Sequence, residues 1–193
     1  MTTQRRHTAA AALVQVGEHG LHGLTHRKVD ARAGVPAGTT SNYFRTRSAL
    51  IAGVLEHLEE LDREAWENAS ATPRPRSRGE LTAALVAFVD DAIGPRRTHT
   101  TARFALFAAA AADPELATRL GAIRARIVEW AESVLIHIST EDTASCARAL
   151  CHYLDGLILH KIATATSSST LSHTDSVDMG VAVDRITAGR TRS

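Results

Sequence analysis

Between Leu24 and Leu50 the chain reads LTHRKVDARAGVPAGTTSNYFRTRSAL, and this stretch constrains the fold more than any other. Thr25 is placed to cap a helix, because its hydroxyl accepts a bond from a first-turn N–H. Val29 and Ala33 follow one turn apart on a single face. Gly34 then stands where helices end in the left-handed conformation that Gly adopts cheaply. Pro36 suits the first position of a second helix, expected over 36–44 and only about 13 Å long. Two helices, a Gly turn and a short polar second helix make a helix-turn-helix, whose second helix is narrow enough to enter a DNA major groove.

The run from Gly34 to Leu50, GVPAGTTSNYFRTRSAL, resembles the signature of the tetracycline-repressor (TetR) family of bacterial transcription regulators. In that family the pattern closes the helix-turn-helix and opens the fourth helix. The likeness covers about residues 5–55. Three positions depart from the commoner pattern: Thr40 replaces a larger apolar residue, Ser41 replaces a frequent Tyr, and Arg47 replaces Lys with the charge kept. The resemblance implies a dimer joined through the last two long helices, with base contacts on the short helix. It also places Tyr43 and Arg47 at phosphate-binding positions.

Charge divides the chain in the same place. Residues 1–50 carry seven Lys or Arg (Arg5, Arg6, Arg27, Lys28, Arg32, Arg45 and Arg47) against two acids, Glu18 and Asp30. The remainder carries fifteen basic against nineteen acidic residues. A basic surplus coincident with a helix-turn-helix is the electrostatic footprint of a phosphate-facing surface. No apolar run reaches 18 residues, so no membrane span is expected. Gln15, Glu18 and His19 interrupt the apolar stretch near the N-terminus, which reads as an amphipathic helix and not an export signal. Cys146 and Cys151 lie five apart in one expected helix and point apart, against a disulfide or shared metal. A cytoplasmic protein is the simplest reading.

The 193 residues read as all-α, with about nine helices expected over 5–19, 25–33, 36–44, 47–69, 80–93, 98–112, 114–138, 143–165 and 177–188. No segment alternates with period two over a useful length, so no sheet is expected. The Pro- and Arg-bearing stretch 71–79 reads as a solvated loop. Glu56, Glu59, Glu60, Glu64 and Glu67 read as a solvated face of the fourth helix. Residues 1–48 are expected to form the DNA-binding domain, and 49–193 a helical effector-binding and dimerisation domain.

The candidate DNA contacts are Thr25, Arg27, Lys28, Ala37, Gly38, Thr39, Ser41, Asn42, Tyr43 and Arg47. Thr25 and the amides behind it suit a phosphate, Arg27 reaches phosphate or a guanine edge, and Lys28 is a point charge on the backbone. Asn42 suits adenine, and Thr39 a thymine methyl or base edge. Tyr43 alternatively packs half-buried, and Arg47 alternatively completes the first turn of the next helix. Phe44 belongs to the core.

A seam of Ile123, Ile127, Trp130, Val134 and His137 is expected to face inward, leaving His137 as a core histidine or a ligand handle. Phe88, Phe104, Phe107 and Trp130, with His137 or His152, are the candidate lining of an effector cavity enclosed by helices four to eight, suited to a small, largely apolar molecule. The eighth helix is apolar beyond one stripe, so it should bury two faces. Tyr153, Gly156 and Leu159 are its candidate dimer residues. Ten histidines raise the question of a metal, but no ligand spacing supports one, and no cofactor or catalytic residue is expected.

The reading that joins these features is a homodimeric regulator that binds a palindromic double-stranded DNA operator, a repressor released by a small effector, not an enzyme. Two alternatives stand beside it. One is an all-helical enzyme or metal-binding protein. The other is a dimeric interaction module without DNA binding.

Overall fold

The computed structural model describes residues 3–70, 73–138, 142–164 and 170–188, with the backbone alone for 68–70. Nine α-helices run through the described residues, and no strand occurs among them: α1 Thr3–His19, α2 His26–Ala33, α3 Thr39–Tyr43, α4 Arg47–Ser70, α5 Arg78–Ile93, α6 Arg97–Ala110, α7 Pro114–Leu135, α8 Thr143–Thr164 and α9 His173–Thr187. Short 3-10 turns follow α1 at Leu21–Gly23 and α7 at Ile136–Ile138. The chain divides into two compact units, one from the described parts of Met1–Ala71 with Thr98–Leu120, the other from those of Thr72–Arg97 with Gly121–Ser193.

In the first unit α1 packs along α4 and α2. Ala9, Ala12, Leu13 and Val16 of α1 meet a core that includes Leu24, Val29, Phe44, Leu50 and Val54, all essentially inaccessible to solvent. Small residues on α1 let its backbone approach closely. A Cβ added at Gly53 of α4 would lie 2.3 Å from the Phe44 ring, so that Gly gives Phe44 its seat.

Charge ties the same helices together. Arg5 pairs with Glu56 at 2.7 Å and Arg6 with Glu60 at 3.1 Å, while Arg103 of α6 grips Asp62 through both carboxylate oxygens. Glu56 and Glu60 are therefore not part of a solvated face as expected. They look toward α1 because its N-terminal turn is basic.

The second unit is built on α5, α8 and α9. Leu81, Val89, Ile93, Cys146, Ala147, Leu150, Leu154, Ile158, Met179 and Val183 form its core. Cys146 and Cys151 are both buried, and neither is in a disulfide. Helix α9 begins four residues before the expected start because Ser172 and Asp175 form a reciprocal capping box. Lys161 of α8 bonds the same Asp175 at 2.7 Å, and Asp90 of α5 accepts the Leu171 N–H at 2.6 Å. Together, the Lys161 and Ser172 hydrogen bonds hold the Asp175 carboxyl at a pKa of about 2.

Two of the expected arginine and histidine placements change in this unit. Arg74 donates to the Ser133 carbonyl at 2.9 Å and contacts His137, and Arg78 donates to the Thr187 carbonyl. Residues 73–77 are the expected exposed loop, but Arg74 reaches from it to a backbone carbonyl of the same unit, and Arg78 belongs to α5. The expected inward seam of α7 stops before His137. The α-helix tightens into a 3-10 turn after Leu135, which rotates Ile138 inward and leaves Ile136 and His137 exposed.

Candidate DNA-binding surface

Thr25 caps α2, accepting the Lys28 N–H at 3.3 Å. Gly34 ends it with φ 64°, and the Val35 N–H closes back on the Asp30 carbonyl. The next helix starts later than expected. Gly38 has φ 91°, a left-handed conformation that no helix continues through, so Pro36 lies in the turn and α3 has five residues, Thr39–Tyr43.

A helix of five residues cannot support itself. Its support comes from Asp30, one turn before the end of α2 and only 4 % exposed. One Asp30 oxygen accepts the Gly38 N–H at 2.8 Å, and the other accepts the Thr40 N–H at 2.7 Å together with the Thr40 hydroxyl. Burial pushes the Asp30 carboxyl up. The Thr40 and Gly38 hydrogen bonds and the nearby His26 outweigh it and hold the carboxyl below its usual range. Asp30 thus caps α3 from a neighbouring helix.

Thr40 is fully buried as the partner of this carboxylate. That explains a hydroxyl where an apolar side chain would otherwise pack. At the other end of α3, the His26 ring donates to the Phe44 carbonyl at 2.6 Å. Arg5 sits 5.0 Å above the Phe44 ring. Asp30, His26 and Thr40 were absent from the expected site. The departure from the commoner family pattern at Thr40 is the linear trace of this frame, while nothing in a linear pattern marks Asp30 or His26, whose partners lie beyond their own helix.

The surface that this frame presents is small and polar. Ala37, Gly38, Ser41 and Asn42 are exposed, Thr39 is half-exposed, and Tyr43 is 38 % exposed. Thr25, Arg27, Lys28 and Arg45 are exposed beside it. Of the seven basic side chains in this region, Arg5, Arg6 and Arg32 are engaged by carboxylates. Arg47 is exposed as well, and its guanidinium donates to the Leu24 carbonyl at 2.6 Å and to the Leu21 carbonyl, tying α4 to the entry of α2. Arg27, Lys28 and Arg45 make no ion pair among the described residues and are the charges left to face outward.

The remaining candidates are divided between the units. Phe104 is half-buried and Phe107 39 % exposed on α6 in the first unit. In the second, Phe88 and His152 are exposed and Trp130 is half-buried. On α8, Tyr153 is half-buried, Leu159 is 47 % exposed, and a Cβ added at Gly156 would meet no atom within 4 Å. Val177 and Val181 of α9 are similarly exposed.

Residues 76–189, more than half of the chain, match the family model described as the tetracyclin repressor-like C-terminal domain. The chain belongs to the TetR family. The family model falls outside the helix-turn-helix, so the two signals come from separate parts of one molecule.

Among TetR-family relatives, the HTH-type transcriptional regulator BetI of Cronobacter sakazakii is 26 % identical over 161 residues, covering 81 % of this chain and 78 % of that one. The multidrug binding protein EbrR, solved in complex with ethidium, matches with a TM-score of 0.70 and 26 % identity over 96 % of this chain and 98 % of its own. A transcriptional regulator from Rhodococcus sp. RHA1 shares the fold, with a TM-score of 0.74, 24 % identity and 96 % of both chains covered. Among the described residues, no helix is long and apolar enough to cross a membrane.

Proposed function

We propose that this TetR-family regulator binds a palindromic double-stranded DNA operator as a homodimer, represses from it, and is released by a small, largely apolar effector. The observation that carries the reading is α3. It is a short helix held at its start by Asp30 and at its end by His26, and it displays Ser41 and Asn42 outward, with Ala37 exposed in the turn before it and Arg27, Lys28 and Arg45 alongside. Phosphate contacts from those cations and from Thr25 and Tyr43 would set position, and the α3 side chains would read bases.

Two copies are needed to engage a palindrome. The exposed Leu159, Val177 and Val181 and the open surface at Gly156 support α8 and α9 as the dimer face. His152 lies one helical turn before Gly156 on α8, so a dimer role there competes with its role as a ligand handle.

Support for an effector comes from the likeness to EbrR, which is a multidrug binding protein. Phe88, Phe104, Phe107 and Trp130 remain the aromatic candidates for contact, with His137 as a polar one. We assign residues 1–48 to DNA and 49–193 to effector binding and dimerisation. Phe44, seated on Gly53, joins α3 to α4. A ligand that favours one setting of α4 would alter how α3 is presented, and a coupling of about 1–3 kcal/mol changes affinity roughly 5- to 150-fold.

The test is a mobility shift with the DNA upstream of the protein's own gene, across a salt series. A discrete complex that weakens steeply with salt is expected. No complex with that DNA or with a genomic fragment pool would favour an interaction module without DNA binding.

A further inference from the structure

Deepening the DNA-binding reading, on which it rests, we infer that α3 reads the exposed amino groups and methyl groups of its half-site and makes no contact to guanine. Two hydroxyls on the outer face of α3 have their protons committed. Thr39 Oγ1 donates to the Pro36 carbonyl at 2.6 Å, and Ser41 Oγ donates to the Gly38 carbonyl at 2.8 Å. A carbonyl oxygen can only accept, so each hydroxyl has spent its one proton inside the protein. What each offers outward is lone pairs.

In the major groove, lone pairs find partners at the adenine N6 and cytosine N4 amino groups. Guanine presents only acceptors there, N7 and O6, and an acceptor facing an acceptor is repulsive. The other outward groups agree. Between Pro36 and Phe44 the sequence holds no Lys or Arg, the side chains that read guanine in bidentate fashion. Asn42 has the only side-chain N–H groups in that span, and its paired donor and acceptor match adenine N7 and N6. The Ala37 and Thr39 methyl groups suit the thymine methyl. Asp30 reinforces the choice, because its carboxylate occupies the Gly38 and Thr40 amides and keeps them from acting as outward donors. Guanine contacts, where they occur, fall to Arg27 or Arg45, which lie outside α3.

Selection from a random duplex library with the full-length protein, followed by single-base analogue substitution in the selected site, tests this. Purine for adenine removes the amino group, uracil for thymine removes the methyl, and 7-deazaguanine removes N7. Replacing adenine by purine beneath α3 should cost about tenfold or more in affinity, and uracil a smaller factor. The 7-deazaguanine substitution should change affinity less than about twofold, or lose its effect in the Arg27→Ala or Arg45→Ala variant. A tenfold 7-deazaguanine penalty that persists in both variants overturns the inference alone and leaves DNA binding intact. Indifference to purine and uracil overturns it as well. Failure to select any sequence overturns it together with the DNA-binding reading.

Discussion

The surfaces around α3 and around α8 with α9 solve opposite problems with similar materials. Each rests on a carboxylate held below its usual pKa by hydrogen bonds, Asp30 beneath α3 and Asp175 at the start of α9. Around α3 the anion is buried, and the display above it is small, polar and flanked by outward cations. Around α9 the anion pairs with Lys161, and the display is aliphatic: Leu159, Val177 and Val181. Hydrated phosphates and base edges call for the first kind of surface, and a second protein chain for the second. Rigidity from within is common to both, while the outward chemistry sets the partner.

The comparison breaks most easily at Asp30. Asp30→Ala leaves two amides and a hydroxyl without their acceptor, which should cost about 3 kcal/mol in urea unfolding and abolish DNA binding. The double change Asp30→Ala with Thr40→Val should recover part of that stability, because it removes the stranded hydroxyl. If Asp30→Ala melts like the parent, the internal support of α3 is misassigned.

At the other surface, Gly156→Leu should weaken the dimer by about 1–3 kcal/mol, through overpacking at a close contact. The isolated chain should tolerate it, since a Cβ there meets nothing. Sedimentation equilibrium separates the two effects, and an unchanged dimer would place the interface elsewhere.

A smaller effect sharpens the contrast through pH. The Asp175 carboxyl titrates at about 2 when folded, against an ordinary 3.8. A depressed pKa means that its contribution is fully present above the ordinary value and is lost as pH falls through about 2. Allowing for solvent screening, this amounts to about 1 kcal/mol. Asp175→Asn should therefore reduce the loss of stability between pH 5 and pH 2, measured by denaturant titration. Smallest of all, Lys28→Ala should lower affinity for every DNA sequence and reduce the slope of log affinity against log salt by about 1.

How much of this was legible depended on how local each cause is. The α2 boundaries follow from Thr25 and Gly34, whose roles are played within a few residues. The start of α3 was misplaced because Pro36 suits a helix as well as a turn, and only the positive φ of Gly38 decides between them. The early start of α9 was written in Ser172 and Asp175, a pair with capping-box spacing that the apolar pattern overshadowed. Asp30, by contrast, reads as an ordinary polar residue of α2, and its role depends on a turn folding back eight to ten residues later. The inward expectation for His137 failed because a helical period was carried past the end of the helix. Glu56 and Glu60 were misjudged for a related reason: an acid looks solvated until the arginine of another helix is placed beside it.

The central claim is that the outward face of α2 and α3 binds DNA, and one measurement addresses it directly. The variant with Arg27, Asn42 and Tyr43 all changed to Ala alters three exposed side chains, none in a hydrogen bond or ion pair that ties one helix to another among the described residues. Titrating it and the parent protein against the same labelled operator by fluorescence anisotropy, with thermal melts in parallel, compares binding at equal foldedness. The account predicts an unchanged melt and an affinity reduced at least about a hundredfold, from the loss of one base reader and two phosphate contacts. An unchanged melt with operator binding retained would contradict it.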